Sequence, residues 1–238
     1  MLVKTFTSHP RPLQDPLEHP VARKISESTV RRLSHYLRAL ERRVDDSSTL
    51  SSEQLAREAG TTAAQVRKDL SFFGSFGKRG LGYTTQALID RIRGIMGLTH
   101  EWRVALVGAG RIGSALFEYG DFKARGFDIV AIFDADPEKV GKVWEHVEIR
   151  SPDGIAEVLA REGIEIGVVA VPADAAQGIV DTLVSAGVRG ILNFAPRRIR
   201  VPEGVTVQDV NMVMELEALA FQLTDPRVET LGRGATGT

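Results

Sequence analysis

Gly108, Gly110 and Gly113 stand in the spacing Gly-x-Gly-x-x-Gly, with Ala109, Arg111 and Ile112 between them. The motif follows the apolar run 103–107 and opens a helix-like stretch. That context gives each glycine a mechanical task. The first permits a tight strand-to-helix turn, the second lets backbone approach a pyrophosphate, and the third lets the helix pack closely on the strand. Phosphate charge then meets the positive end of the helix dipole. Asp134 closes the next apolar run, 21 residues beyond Gly113. A carboxylate at that point accepts hydrogen bonds from adenosine ribose hydroxyls and repels a 2′-phosphate. The chemistry this implies is binding of NADH or NAD+ in preference to their 2′-phosphorylated counterparts. Arg111, a cation beside the pyrophosphate, could serve either.

Two later strand ends should line the nicotinamide side of the same crevice: Val171-Pro172-Ala173 and Asn193-Phe194-Ala195-Pro196. Val171, Pro172, Asn193 and Phe194 are therefore candidate ring contacts, with Asn193 the one side-chain amide. Hydride transfer to a carbonyl needs a proton donor such as His, Lys or Tyr beside the ring. These segments contain none, and His146 falls in a loop after the second strand. Such a site can hold a nicotinamide without turning it over, so no catalytic residue is expected.

A second group of residues suits a different ligand. Ser51 with Gln54, and Thr62 with Gln65, are capping-box pairs that start two short helices, and Gly60 separates them. Two short helices joined by a tight turn have helix-turn-helix geometry. On a wheel of the second helix, Val66, Leu70 and Phe73 share one face, with Ala63 at its edge. Lys68, Ser71 and Ala64 point the opposite way, and Arg67 lies on a flank. Cations and hydroxyls around a small residue suit a recognition helix in the major groove. Directly after come Gly74, Gly77, Lys78, Arg79, Gly80 and Gly82, a Gly-flanked cationic hairpin that can serve as a wing. The candidate DNA contacts are Gln65, Arg67, Lys68 and Ser71 on the helix and Lys78 and Arg79 on the wing.

The elements that must position these residues follow from pattern. Residues 1–23 hold Pro10, Pro12, Pro16 and Pro20 without periodicity and are expected to be a disordered extension. Ser26 should cap a helix whose stripe is Val30, Leu33, Leu37, Leu40 and Val44. The winged helix-turn-helix domain is bounded at 24–83. A bridging helix through about Met96, with its junction, takes 84–101. From Trp102 apolar runs at 104–107, 129–133, 166–171, 190–194 and 205–207 alternate with helical stretches at about 112–124, 153–162 and 174–186. That alternation argues an α/β fold, a Rossmann-like doubly wound parallel sheet over 102–226. A last helix, 211–223, is apolar nearly all round, which suggests packing between subunits rather than an ordinary place in the core. Residues 227–238 should form a flexible tail.

Composition agrees with this division. The net charge of −1 conceals 14 Lys and Arg against nine Asp and Glu in residues 1–86, a net +5. Residues 87–238 carry 16 against 22, a net −6. A basic front half favours phosphate backbones, and an acidic remainder is repelled by them. With no cysteine and five scattered histidines, neither disulfides nor a metal site is expected. No apolar run approaches a membrane span, and a cytoplasmic chain is the plain expectation.

Gln65-Val66-Arg67-Lys68-Asp69-Leu70, the stretch 73–83, the glycine motif, Asp134-Ala135-Asp136-Pro137, Val171-Pro172-Ala173 and 190–196 together resemble the redox-sensing transcriptional repressor Rex family. The resemblance runs collinearly over about 24–226. It implies a homodimer with the last helix swapped between protomers, bringing Met212 of the partner subunit to the nicotinamide. It also implies repression from double-stranded operator DNA, relieved when NADH rises. Asn211 stands where relatives often carry an Asp that ties the swapped helix to the DNA-binding domain, and the Pro-rich extension has no obvious family role. Two other functions fit parts of the pattern: a small NAD-dependent oxidoreductase, and a regulator sensing another nucleotide such as a coenzyme A derivative.

Overall fold

The structure is a computed structural model that describes residues 25–43, 49–74 and 82–224. It divides into two compact units, one up to Thr84 and one from Thr85. The Pro-rich extension, the wing candidates Lys78 and Arg79, and the tail lie outside the described residues.

The first unit contains α1 (Glu27–Glu41), β1 (Thr49–Leu50), α2 (Ser52–Glu58), α3 (Ala63–Ser71) and β2 (Tyr83–Thr84). The Ser26 hydroxyl accepts the Thr29 N–H at the start of α1. Ser51 and Gln54 form a reciprocal capping box on α2. The buried face of α1 differs from the expected stripe. Leu33, Leu37 and Leu40 of that stripe are buried, Val44 lies outside the described residues, Val30 is 44% exposed, and Thr29 and Tyr36 are buried as well. Thr29 and Tyr36 can go inside because their hydroxyls are bonded there: Thr29 Oγ1 accepts from Arg32, and the Tyr36 hydroxyl donates to Asp69. A pattern that counts only aliphatic residues misses both. β1 and β2 pair antiparallel, Leu50 opposite Tyr83.

The second unit begins with α4 (Thr85–Ile95), where a helix was expected, and its residues Leu88, Ile89 and Ile92 are buried. It continues with β3 (Trp102–Val107), α5 (Arg111–Phe117), α6 (Asp121–Ala124), β4 (Phe127–Phe133), β5 (Val143–Trp144) and β6 (Val147–Arg150). A 3-10 turn at Pro152–Gly154 leads into α7 (Ile155–Glu162), β7 (Ile166–Val169), α8 (Ala173–Ser185), β8 (Gly190–Asn193), β9 (Thr206–Asp209) and α9 (Met212–Thr224). The sheet order is β5-β6-β4-β3-β7-β8-β9, parallel throughout except for the β5–β6 hairpin. That hairpin was not expected, because its two short strands carry no sustained alternation. The single helix expected over 112–124 is two, interrupted at Glu118, Tyr119 and Gly120.

Alternate residues of β3 enter different cores, as a sheet covered on both faces requires. Ala105 and Val107 pack with Val158, Leu159, Val180 and Leu183 of α7 and α8. Val104 and Leu106 pack with Ile129, Ile132, Leu116 and Phe117. β3 has β4 on one side and β7 on the other, so the chain reverses its winding there. A crevice opens outside the carboxyl ends of the strands at such a switch point.

α9 contributes nothing to either core. None of its residues is buried, and Met212, Val213, Met214, Leu216, Leu219, Phe221 and Leu223 are 50–79% exposed. An ordinary last core helix is therefore not what this chain builds. Asn211 caps it, its Oδ1 accepting from the Val213 and Met214 N–H groups. No helix among the described residues is long and apolar enough to cross a membrane.

Candidate functional site

The crevice at the switch point is a cleft of about 710 Å³, within the size range of small-molecule and cofactor sites. Gly108, Gly110, Arg111, Ile112, Asp134, Val171, Pro172 and Phe194 all line it. Gly108 has φ +103°, and a Cβ there would strike the Ala170 carbonyl. A Cβ on Gly113 would overlap the Gly108 carbonyl oxygen, so helix α5 can lie this close to the turn only with glycine at 113. Gly110 differs: a Cβ there meets nothing within 4 Å. As the residue before α5 it offers no side-chain cap. The first-turn N–H groups are then left for the oxygens of a ligand.

Asp134 lines the cleft directly after β4. Its carboxylate accepts the Ala109 N–H at 2.7 Å, the Asp136 N–H at 2.8 Å and the Lys139 ammonium at 3.2 Å. Burial alone would raise its pKa, but the Asp136 and Ala109 amides and Lys139 outweigh that and hold it below the ordinary carboxylate value. The group is thus an anion at neutral pH. Ala109 serves the site through this backbone bond rather than as a wall. Val171, Pro172, Phe194 and Pro196 make the apolar walls.

Asn193 does not reach the cleft. It is 1% exposed, and its Nδ2 donates to Asp209 Oδ1 at 2.7 Å and to the Arg197 carbonyl at 2.9 Å, while its Oδ1 accepts the Ala195 N–H. Its amide shapes the 193–197 loop, and the expected ring contact is corrected accordingly. Met212, on α9, is also absent from the cleft walls within one chain. Lys139 was missed by sequence reasoning; its only signal is a position five residues after Asp134, beyond the Asp-Pro turn. It is the one lysine lining the cleft among the described residues, and it is bonded to Asp134.

In the other unit, α3 is held by a buried carboxylate. Asp69 is fully buried and accepts from Arg32 Nε at 2.6 Å, Arg32 Nη2 at 2.8 Å, the Tyr36 hydroxyl at 2.9 Å and Gln65 Nε2 at 2.8 Å. Burial would raise the Asp69 pKa, and these donors together lower it. Burial, then the bond to Asp69, raises that of Tyr36. Gln65 is thereby a brace, half-buried and bonded inward, instead of the free groove contact expected of it. The Thr62 hydroxyl accepts the Gln65 N–H, but the reciprocal half of the expected capping box is replaced by this brace. Arg67, Lys68 and Ser71 are exposed. Arg67 pairs with Glu53 at 3.1 Å, with both side chains more than half exposed. Such a pair is worth little in water and exchanges readily for another anion.

A family model for a CoA binding domain matches residues 99–197, and one for a putative DNA-binding protein N-terminus matches 24–71. The chain is 47% identical over 204 residues to a redox-sensing transcriptional repressor Rex of Streptomyces coelicolor, covering 84% of this chain and 78% of that one. The chain belongs to the Rex family. Two solved structures agree. RSP in complex with beta-NAD+ and operator DNA superposes with TM-score 0.81 at 34% identity, covering 85% of this chain and 94% of that one. RSP in complex with beta-NADH gives 0.76 at 33% identity, covering 84% and 94%. Rex relatives are named as repressors and not as enzymes. The CoA binding domain model covers the Rossmann-like sheet only as far as the loop after β8 and omits α9.

Proposed function

We propose that this chain is a cytoplasmic, homodimeric DNA-binding repressor that senses the NADH/NAD+ ratio, holds inverted-repeat operators when NADH is low, and leaves them when NADH binds. One observation carries the reading. A single chain presents a helix face with Arg67, Lys68 and Ser71 exposed and, in a separate unit, a cleft lined by the glycine turn, Asp134 and the apolar Val171, Pro172 and Phe194. Binding to the second must then be read out by the first. α9, with its apolar surface all outside one chain, supplies the face through which two copies pair.

Discrimination between the redox forms follows from charge. Oxidised nicotinamide is cationic and the reduced ring is neutral. Walls from Val171, Pro172 and Phe194 penalise the charged ring by desolvation. NADH should bind at least about tenfold more tightly than NAD+, a difference of about 1.4 kcal/mol. Linkage then requires operator DNA to weaken NADH binding by the same factor that NADH weakens operator binding. Fluorescence anisotropy of a labelled operator, titrated with each cofactor, tests this. Equal release by NADH and NAD+, or none by NADH, would refute it.

The match to a CoA binding domain favours one second reading, a coenzyme A derivative in the same cleft. Asp134 argues against it, because the phosphorylated ribose of coenzyme A would face a carboxylate. An acyl-CoA titration in the same assay separates the two: operator release by acyl-CoA with no response to NADH selects the alternative.

On α3, Arg67→Ala and Lys68→Ala should each cost about 1–3 kcal/mol of operator affinity and relax base preference. Neutralising Lys78 or Arg79 should weaken all DNA sequences alike and flatten the salt dependence by about 0.9 in slope per lost phosphate contact. Wild-type operator affinity in both α3 variants would remove the assignment.

A further inference from the structure

We propose that Lys139 is a specificity-determining residue: it contacts the adenosine ribose beside Asp134 and moderates the rejection of a 2′-phosphate. The inference rests on the reading of Asp134 as the ribose acceptor.

A count of donors and acceptors leads to it. A carboxylate offers about four lone-pair sites, two on each oxygen. On Asp134, Oδ2 already accepts the Ala109 N–H and the Lys139 ammonium, and Oδ1 accepts the Asp136 N–H. One site remains, enough for a single hydroxyl, whereas a ribose diol presents two. Lys139 Nζ carries three N–H donors. One goes to Asp134 at 3.2 Å, and Asp136 Oδ2 lies at 3.6 Å. The side chain is 34% exposed and lines the cleft, so a donor remains for the oxygen of the second hydroxyl. Asp134 and Lys139 together satisfy what Asp134 alone does not.

The same placement alters charge selectivity. Asp134 and Asp136 with Lys139 amount to one net negative charge at the ribose end; without Lys139 they amount to two. A 2′-phosphate is repelled in either case, but more strongly in the second. Lys139 therefore strengthens diol binding while leaving a residual tolerance for the phosphorylated form.

The test is competition of NADPH against NADH on the full-length protein, in wild type, Lys139→Gln and Lys139→Arg, at two salt concentrations. Lys139→Gln should weaken NADH modestly and NADPH more, so that the preference for NADH rises about fivefold or more at low salt and less at high salt. Lys139→Arg should stay near wild type. A preference that falls in Lys139→Gln would mean that Lys139 only orients Asp134, and an unchanged preference would place it out of reach of the ribose. No measurable competition by NADPH in wild type would contradict residual tolerance. Each of these results overturns the proposal. Asp134→Ala separates failure of the underlying reading: if that variant leaves the wild-type preference intact, Asp134 itself does not contact the ribose.

Discussion

Gly110→Val is expected to weaken NADH binding by at least about a hundredfold, or about 2.7 kcal/mol, and to leave a repressor that binds its operator and ignores NADH. The argument is steric and depends on what surrounds each glycine. Gly110 has extended backbone angles, φ −87° and ψ −165°, which L-residues adopt without strain. A Cβ there meets nothing within 4 Å, so a side chain can leave the backbone without a clash at its first atom. Its branches would occupy the edge of the cleft where the pyrophosphate must approach backbone. Gly108 and Gly113 cannot give so clean a result, because a side chain at either collides with backbone and damages the turn itself. Calorimetry with NADH and operator anisotropy with and without saturating NADH measure the two halves. If NADH still released the variant, the sensing site would lie elsewhere; if operator binding were lost, Gly110 would serve the fold rather than the ligand.

The ease with which Gly110 could be singled out from sequence has a physical basis. Glycine spacing, the strand before it and the acid after it are local features, and each has one stereochemical explanation. The parallel sheet was legible for the same reason, since β3, β4, β7 and β8 are near-continuous apolar runs buried on both faces. What escaped notice depends on partners far apart in sequence or on competing partners nearby. Asn193 has the type of a ligand contact, yet Asp209 and the 195–197 backbone occupy its amide. Gln65 has the position of a base reader, yet Asp69 lies one helical turn away and takes its N–H. Tyr36 and Thr29 fall outside an aliphatic stripe on α1, and Asp69 and Arg32 supply what their buried hydroxyls need. Conversely, α9 stood out in the sequence because no single small domain requires a helix apolar on every side, and the structure leaves it unburied.

Asp69→Ala is expected to destabilise the first unit by about 3 kcal/mol and to weaken operator binding at least tenfold, with NADH binding unchanged. Removing this carboxylate leaves the Arg32 guanidinium, the Tyr36 hydroxyl and the Gln65 amide without their common acceptor. Breaking a buried pair in this way costs roughly 3–5 kcal/mol, and the low end applies because the Arg32 side chain is 28% exposed and water partly replaces its partner. The effect should fall on DNA binding because Asp69 joins α1 to α3, the helix bearing Arg67 and Lys68. The cleft belongs to the other compact unit and should keep its affinity for NADH. A pH dependence follows with a definite sign. The Asp69 pKa is lowered in the folded state, so its contribution is fully present above the ordinary carboxylate value and is lost as pH falls through the lowered one. Asp69→Asn should therefore flatten the loss of first-unit stability in acid, as well as lowering stability at neutral pH. Thermal unfolding across pH, operator anisotropy and NADH calorimetry on the same preparations decide the matter. Unchanged operator affinity in Asp69→Ala would show that α3 holds its place without the buried carboxylate. A parallel loss of NADH binding would show that the two units do not keep their stabilities apart.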